Sequence, residues 1–568
     1  MVLDWLAQRY PDLLDPGESQ FIENFTQLAK PSRALLVRMV MRKGELFRAS
    51  KLQYPEIGAT PDAAAPLIAL NWLDPQPTLT IEQLFALFTK PELAQLLALP
   101  PQLAKAKKSE QLATLQTAGN MQEGNLSAWF GADYAQSEPL YQLRIMPLCE
   151  RFRLMFFGNL HQDWSEFILS DLGIYQWEKV DIAPTARGFQ SRADIDHYLR
   201  LFQCREQWQQ GASIEQTLNT LANIPVSAQS WLERRRERLL FSLGQAFERE
   251  QNFSAAHELY QDNSSPEARI RQLRVLIRNE QYPAAHALAQ QMIAPDATTM
   301  ASEVELQHLQ RILPRLHKKL PADFTKLVLA SRGAHEVPEL RYTLPASNQH
   351  SVEQLAAQHL ARAHADAHAD KHADQPAPVF YVENTLINSL FGLLCWDAIF
   401  CALPGAFFNP YQRGPVDLLS PDFYPRRQTQ FDICLAQLDS DAWQATIWQT
   451  YHSKQGLQSN FVTWQILSPE LLEHALLCIP AAHLRHCFQR LLQDIASNRS
   501  GWPDLIQFWP ATRSYRMIEV KGPGDKLQDN QIRCIQYCAQ HQIPISVCYV
   551  DYASDEVLSS AAPPCGAP

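Results

Sequence analysis

The segment Pro503-Asp504-Leu505, followed by Ile518-Glu519-Val520-Lys521, constrains the fold of this 568-residue chain more than any other part of it. The two pieces are typical of the strands of a β-hairpin, and a turn midway between them places Asp504 opposite Glu519. In an antiparallel pair, the β-carbons of directly opposed residues lie about 5 Å apart. Two carboxylates held that close repel each other unless a cation lies between them or one of them takes up a proton.

Alternation along the second strand groups the charged side chains. Ile518 and Val520 fall on one face of the strand, and Glu519 and Lys521 fall on the other. Two acids and an amine therefore project together beside aliphatic residues. This arrangement predicts a metal site with an adjacent lysine, which suits phosphodiester hydrolysis. The alternative is an exposed hairpin with an ordinary charge pair, because Glu-x-Lys is a frequent pattern.

The surrounding residues predict an α/β unit. Residues 522–525 form a Gly-Pro-Gly-Asp turn signal, residues 527–542 predict a helix, and residues 545–550 predict a third strand. Upstream, the strongly apolar segment 380–400 predicts a helix that carries Glu383 on its buried stripe. A buried acid without a partner is costly. Glu383 therefore either belongs to the same group of acids or lies in the first helical turn and reaches water.

This order of motifs resembles the VRR-NUC branch of the PD-(D/E)xK nucleases, and in particular the Fanconi-anaemia-associated nuclease family. The resemblance spans nearly the whole chain and is weakest between about residues 80 and 340. It is carried by Glu383-Asn384-Thr385, Leu390-Phe391-Gly392-Leu393-Leu394-Cys395-Trp396-Asp397, Gly501-Trp502-Pro503-Asp504-Leu505, Val520-Lys521-Gly522-Pro523, Leu14-Asp15-Pro16 and residues 37–57.

The resemblance implies a metal-dependent, structure-specific DNA nuclease with 5′-flap endonuclease and 5′-to-3′ exonuclease activity, used in DNA repair including interstrand crosslink repair. The residues that match the metal ligands of the family are Glu383, Asp504, Glu519 and, through its carbonyl, Val520. Lys521 would orient the attacking water or stabilise the charged transition state, and Gln531 would support the site. Such oxygen ligands suit one or two Mg²⁺ or Mn²⁺ ions. The implied partner is branched, nicked or crosslinked DNA.

Basic residues in the N-terminal region are candidate DNA contacts. Residues 15–75 predict a winged-helix-like unit whose helical stretch ends near Tyr54, and residues 80–115 predict two helices joined by Leu99-Pro100-Pro101, similar to a SAP-type module. Each cation that neutralises a phosphate makes binding more sensitive to salt. For any single residue, the alternative is a solvated helix face. The candidates are Arg38, Arg42, Lys43, Arg48, Lys51, Lys105, Lys107 and Lys108.

The predicted fold class is multidomain, with mainly α N-terminal and middle regions followed by an α/β PD-(D/E)xK nuclease domain. In the middle region, residues 252–259 echo residues 281–288, which indicates tetratricopeptide-like helical repeats. The resemblance also implies a basic pocket for a 5′ phosphate, lined by either the Arg234–Arg238 cluster or the Arg311–Lys319 cluster. The predicted domains are 1–75 winged-helix-like, 76–125 SAP-like, 126–194 connector, 195–345 helical repeats, 346–378 His/Asp/Ala-rich linker and 379–568 nuclease.

Composition narrows the remaining classes. The net charge of −10 argues against a protein that coats DNA indiscriminately, although local basic patches suffice for binding. The longest apolar stretch, 386–408, contains Asp397 and Pro404, so it predicts a core helix and not a membrane span. The eleven cysteines include no Cys-x-x-Cys pair, which indicates reduced thiols in a cytoplasmic protein. The resemblance to a bacterial DNA nuclease implies that it acts at the nucleoid. The first cysteine is Cys149, so the N-terminal zinc finger of eukaryotic family members is expected to be missing, as in a bacterial form.

Three functional hypotheses remain open from the sequence. The first is the structure-specific nuclease, and the second is another PD-(D/E)xK activity such as a junction resolvase or a restriction-type endonuclease. The third is a helical-repeat scaffold with an inactive nuclease domain. A dimer that forms on DNA is compatible with the first two. His364, His368 and His372 recur at four-residue spacing and would either bind a transition metal adventitiously or lie in a solvated linker.

Overall fold

The computed structural model divides the chain into two compact units, which are described separately. The first unit consists of residues 1–174 and 183–195, and the second consists of residues 175–182 and 196–568. The residues that the structure describes are 1–117, 123–162, 164, 175–294, 301–329, 335–346, 349–367 and 377–553.

The first unit is mainly helical and contains two small antiparallel sheets. Its helices are Val2–Arg9, Pro16–Gln27, Lys30–Val40, Thr60–Ala69, Ile81–Leu87, Lys90–Leu96, Pro101–Lys105, Lys108–Thr117, Leu126–Phe130, Ala132–Ser137 and Met146–Phe157, with 3₁₀ turns at Ala49–Lys51 and Pro184–Ala186. Its strands are β1 (Leu46–Arg48), β2 (Leu73–Asp74), β3 (Leu79–Thr80), β4 (Glu123–Gly124) and β5 (Leu140–Leu143). The strand order is β1-β5-β2 in one sheet, and β3 pairs with β4 in the other.

Three predictions for the first unit are wrong. The helical stretch expected to reach Tyr54 ends at Val40, because residues 46–48 pair with β5 instead of extending the helix. The segment assigned as a connector supplies β5 and a helix whose Phe152 is buried in the core of this unit. The SAP-like region contains four short helices where two were predicted. The join at Leu99-Pro100-Pro101 is present as predicted, but the backbone also turns extended at Phe88 and at Ala106, which ends a helix at each of these points.

The middle region is helical, as predicted. Its helices are Arg192–Gln209, Ile214–Ala222, Ser230–Arg249, Phe253–Gln261, Pro266–Arg278, Tyr282–Ile293 and Glu303–His317. The two echoing segments both begin helices, and Ala256 and Ala285, which occupy matching positions in them, are fully buried. Small side chains let neighbouring helices approach closely at these two points.

The C-terminal part of the second unit is an α/β fold. Its strands are β6 (Glu339–Leu344), β7 (Val379–Tyr381), β8 (Leu505–Trp509), β9 (Ser514–Lys521) and β10 (Ile545–Tyr552), in the order β6-β10-β9-β8-β7. β10 runs parallel to β6 and β9, while β8 runs antiparallel to β7 and β9. The predicted hairpin and third strand are therefore present. The helices are Val352–Ala367, Leu386–Leu394, Trp396–Ile399, Gln428–Ala436, Ala442–Lys454, Pro469–Cys478, Ala481–Gln493, Ile495–Asn498 and Asp529–Gln540, with 3₁₀ turns at Pro425–Arg427, Gln437–Asp439 and Pro510–Thr512.

The nuclease sheet begins earlier in the chain than the predicted boundary at residue 379. β6 precedes that boundary, and residues 352–367 form a helix where a linker was predicted. Ala356 and Leu360 of this helix lie in one buried cluster with Ile518 and Val520, the two residues that form the aliphatic face of β9. His364 lies within the helical part, but its side chain, together with His368 and His372, lies outside the described part of the structure.

The longest apolar stretch folds into the core of the second unit. Every residue of the helix Leu386–Leu394 is buried, and the short helix Trp396–Ile399 follows it. Within the residues described, no helix has both the length and the apolar character needed to cross a bilayer.

Candidate active site

The β8–β9 hairpin brings Asp504 beside Glu519. Leu505 pairs with Ile518, so one further step along the ladder sets Asp504 opposite Glu519, as the symmetry of the sequence predicts. The backbone N–H of Val520 donates a hydrogen bond to Asp504 Oδ2 at 2.9 Å. The aspartate is therefore fixed to the second strand by its side chain as well as by the sheet.

Asp504, Glu519 and Lys521 form a buried charged group. Their exposed fractions are 8%, 1% and 8%. Lys521 Nζ lies 2.9 Å from Glu519 Oε1. The two atoms form an ion pair, and the same ammonium group faces the charge of Asp504 as well. Two buried carboxylates that share one ammonium group are costly to keep ionised, and carboxylate oxygens are the ligands that a hard divalent cation prefers.

Burial and mutual repulsion raise the pKa of both acids. Burial raises the pKa of Asp504 to about 6, and the charges of Glu383 and Glu353 add to the effect. Burial also raises the pKa of Glu519 to about 7, with further contributions from the charges of Asp504 and Glu383. The ammonium group of Lys521 opposes both increases. The site therefore has too little positive charge for its buried carboxylates.

Glu383 lies near these two acids but not on a helix. The prediction that it occupies a buried helical stripe is wrong: β7 ends at Tyr381, and Glu383 lies exposed in the turn before the helix Leu386–Leu394. The reason is a long-range strand pairing, since β7 pairs with β8 and the backbone N–H of Val382 donates to the carbonyl oxygen of Asp504 at 2.7 Å. Glu383 still influences the pKa of both buried acids, so the three carboxylates share one region.

Glu353 is a further acid at the site that the sequence did not indicate. It lies in the first turn of the helix Val352–Ala367, and its charge contributes to the raised pKa of Asp504. The low-complexity Ala-His-Ala-Asp composition just downstream favoured a linker and so concealed this helix.

Gln531 lies in the first turn of the helix Asp529–Gln540. Its side-chain oxygen accepts a hydrogen bond from the backbone N–H of Gln528 at 2.8 Å and so caps the helix. This helix start lies against Gly501, whose φ is +88°, and a Cβ at that position would come within 2.7 Å of the carbonyl oxygen of Asn530. Gln531 is therefore held beside the loop that leads to Asp504.

The donor set suits a divalent cation. It consists of carboxylates with a neighbouring backbone carbonyl, which are the oxygen ligands that Mg²⁺ and Mn²⁺ prefer. No three acidic, histidine or cysteine side chains in the described ranges already form a closed ligand cluster. The burial of Asp504 and Glu519 beside a single ammonium group, together with the raised pKa of both acids, nevertheless indicates that added positive charge would stabilise the site.

The stability of the metal-free protein should fall as pH rises. Asp504 and Glu519 have a higher pKa in the folded chain than when unfolded, so the folded state binds more protons between about pH 4 and pH 7. Across this pH range, the free energy of unfolding should fall by on the order of 2–3 kcal/mol for each of the two acids. A cation would replace those protons, so thermal unfolding should show a larger Mn²⁺-induced increase in Tm at pH 8 than at pH 5. Equal Mn²⁺-induced increases in Tm at pH 5 and pH 8 would contradict the idea that the cation replaces protons on Asp504 and Glu519.

The predicted DNA contacts in the winged-helix-like region differ in their surroundings. Lys43 and Lys51 are exposed, while Arg38 and Arg42 lie over the ring of Tyr54. Arg48 is a correction, because it is buried in β1 and its guanidinium binds Glu92 at 2.8 Å and Glu138 at 2.9 Å. These two acids neutralise Arg48 inside the first unit, so its charge does not reach a phosphate.

The lysines of the SAP-like region also differ. Lys105 and Lys107 are exposed. Lys108 is half-buried, and its Nζ donates to the carbonyl oxygen of Phe88 at 2.7 Å, just after the helix Ile81–Leu87 ends. Lys108 therefore has a local structural role in this conformation.

Both clusters considered for a 5′-phosphate pocket contain cations that already make internal contacts. Arg236 donates to backbone carbonyls, including that of Ile224 at 2.8 Å. Arg311 forms a two-pronged ion pair with Asp529, at 2.7 and 2.5 Å. The remaining exposed cations of the two clusters are Arg238, Arg315, Lys318 and Lys319.

Three family models match the chain. The FAN1 HTH domain matches residues 1–74, the Fanconi anemia-associated nuclease SAP domain matches residues 78–139, and the VRR-NUC domain matches residues 439–552. The Fanconi-associated nuclease 1 homolog of Pseudomonas aeruginosa is 49% identical over 557 residues, which is 98% of this chain and 95% of that protein. The homolog of Oryza sativa subsp. japonica is 24% identical over 98% of this chain and 62% of its own length.

A solved structure shares this architecture along nearly the whole chain. The crystal structure of paFAN1 bound to a 2-nucleotide 5′-flap DNA with a gap matches with a TM-score of 0.86 at 48% identity, over 98% of this chain and 97% of that one. Its complex with a 1-nucleotide flap gives a TM-score of 0.84. Near-half identity from end to end, together with a PD…ExK hairpin on the matching sheet, leads to one conclusion: the chain belongs to the Fanconi-associated nuclease family and is a DNA nuclease with a VRR-NUC domain.

Proposed function

We propose that this nuclease cuts branched DNA as a 5′-flap endonuclease and degrades it as a 5′-to-3′ exonuclease, in DNA repair that includes interstrand crosslinks. The observation that carries the proposal is the buried Asp504–Glu519–Lys521 group on a hairpin of the nuclease sheet. The flap preference is supported by paFAN1, a protein 48% identical, which is described in complex with 5′-flap DNA. The reaction would take place in the bacterial cytoplasm, at the nucleoid.

The proposed metal ligands are the carboxylates of Glu383, Asp504 and Glu519 and the carbonyl oxygen of Val520. One or two Mg²⁺ or Mn²⁺ ions bound there would lower the pKa of a water molecule and neutralise charge on the phosphate in the transition state. The chain itself supplies the rigidity. Asp504 is hydrogen-bonded to the N–H of Val520, and Glu519 is held in the centre of a five-stranded sheet.

Lys521 is the proposed group that orients the attacking water or stabilises the developing negative charge. Its ammonium group is 2.9 Å from Glu519 and buried, so it is held beside the proposed metal ligands. A fixed positive charge in a buried site stabilises a transition state more than a mobile charge in water does. Gln531 is proposed to support the site from the adjacent helix.

The proposed DNA contacts are the exposed cations of the first unit. Lys43, Lys51, Lys105 and Lys107 present unburied amines, and Arg38 and Arg42 lie on an exposed surface of the winged-helix-like region. Contacts of this type bind the phosphate backbone without reading base sequence, so affinity should fall steeply with added salt. This fits a nuclease that selects the shape of its substrate.

A panel of labelled DNAs tests the proposed activity. With Mn²⁺ or Mg²⁺, we expect the 5′ flap to be cut at least about tenfold faster than the 3′ flap, nicked duplex or four-way junction, a difference of about 1.4 kcal/mol in activation free energy. EDTA should stop the reaction, and excess metal should restore it. Faster cutting of the four-way junction would instead favour a resolvase, and no cutting with either metal would favour an inactive scaffold.

A further inference from the structure

We infer that Tyr381 is a positioning residue that fixes the carboxylate of Glu383. Tyr381 is the last residue of the edge strand β7, and 46% of it is exposed to solvent. Its hydroxyl donates a hydrogen bond to Glu383 Oε2 at 2.5 Å. This inference rests on the proposed function, in which Glu383 is a cation ligand.

Glu383 needs such support because nothing buries it. It is exposed in a turn, and a glutamate side chain has several rotatable bonds whose ordering costs free energy. The structure holds it at both oxygens: Tyr381 binds Oε2, and Asn384 Nδ2 donates to Oε1 at 3.3 Å. A ligand fixed in this way binds a cation with less loss of conformational freedom than a mobile one.

The two residues that hold Glu383 are themselves tied to the Asp504 loop. In the β7–β8 ladder, Tyr381 pairs with Leu505, which is the residue directly after Asp504. Asn384 Oδ1 accepts a hydrogen bond from the backbone N–H of Trp502 at 3.0 Å. Any displacement of Tyr381 or Asn384 therefore changes the distance between Glu383 and Asp504.

The backbone at Asn384 supports the same interpretation. Its φ is +52°, in the left-handed region that few residues other than glycine and asparagine tolerate. Its carbonyl oxygen also accepts a hydrogen bond from Asn388 Nδ2 at 2.7 Å. Three separate contacts of Asn384 thus maintain this unusual turn, and together they fix the position of Glu383, whose charge acts on the two buried acids.

Tyr381→Phe tests the inference because it removes only the hydroxyl. In the full chain without DNA, we expect Mn²⁺ binding measured by titration calorimetry to weaken about fivefold to tenfold, the effect of losing one solvent-exposed hydrogen bond of ordinary net strength. Single-turnover cleavage should fall by a similar factor at limiting Mn²⁺ and recover at high Mn²⁺. The flap Kd in Ca²⁺ should stay within about twofold of wild type, since phosphate contacts that do not involve this hydroxyl provide most of the affinity.

Two further variants make the outcome decisive. Tyr552→Phe is the matched control, because Tyr552 is similarly exposed, at 44%, on β10, and its variant should bind Mn²⁺ like wild type. Asn384→Gly keeps the left-handed backbone while removing both side-chain contacts, so it should weaken Mn²⁺ binding at least as much as Tyr381→Phe. Unchanged Mn²⁺ binding in both Tyr381→Phe and Asn384→Gly would overturn the inference.

Failure of this inference is distinguishable from failure of the proposed function. Glu383→Gln should abolish cleavage if Glu383 is a cation ligand. If Glu383→Gln is inactive while Tyr381→Phe binds Mn²⁺ normally, the ligand assignment stands and the positioning role is wrong. If Glu383→Gln cuts at the wild-type rate, the ligand assignment fails first.

Discussion

Asp504→Asn is expected to lower single-turnover cleavage of a 5′-flap DNA by about 10³-fold, the scale of losing one essential charged group from a preorganised site. The amide matches the carboxylate in size, and its oxygen can still accept the hydrogen bond from the N–H of Val520. The packing of the hairpin should therefore survive. What disappears is a negative charge that a cation needs.

The same variant should not destabilise the metal-free protein. Burial raises the pKa of Asp504 to about 6, which means that the ionised aspartate opposes folding at neutral pH. An uncharged amide removes that cost, so the Tm at pH 8 without metal should equal or exceed that of wild type. Asp551→Asn is the control, because Asp551 is exposed on β10 of the same sheet. A wild-type cleavage rate in Asp504→Asn would show that the site has been assigned wrongly.

Lys521→Met should give a comparable loss of activity, about 10²-fold to 10³-fold, with the opposite effect on stability. Methionine preserves much of the apolar stem but removes the ammonium group 2.9 Å from Glu519. Removal of one partner of a buried ion pair typically costs about 3–5 kcal/mol. Urea denaturation of the metal-free protein at pH 8 should show this loss.

A double variant separates the two roles of Lys521. Adding Glu519→Gln to Lys521→Met removes the buried charge that lost its partner, so stability should recover while activity stays absent. Lys526→Met serves as the control, since Lys526 is exposed in the loop after the hairpin. If Lys521→Met were as stable as wild type and remained active, Lys521 would be neither a partner of Glu519 nor a catalytic group.

The sequence correctly predicted the pairing of Asp504 with Glu519, because both residues lie in one short hairpin. The register of Asp504 and Glu519 follows from a short hairpin, where sequence distance and spatial distance are directly related. Glu383 was placed wrongly because the apolar run 380–400, which is mostly helical, begins with the last two residues of strand β7. That strand forms only because β8, more than a hundred residues later, offers it a partner.

Long-range partners also explain the other corrections. Arg48 was expected to be exposed because it lies in a basic stretch, but its partners, the half-buried Glu92 and the buried Glu138, come from distant parts of the first unit. Glu353 was missed because composition favoured disorder where the nuclease sheet provides a hydrophobic surface for a helix. In each case the deciding contact joins residues that no short window of sequence contains.

The strand order β1-β5-β2 in the first unit has a consequence for synthesis of the chain. The central strand, β5, leaves the ribosome only after the entire SAP-matching segment has been translated, whereas both of its neighbours emerge much earlier. Until then, two edges with unpaired backbone groups are open to incorrect pairing. The HTH-matching segment alone is therefore an incomplete folding unit, and a nascent chain that stalls before residue 140 should be a preferred target for chaperones and proteases.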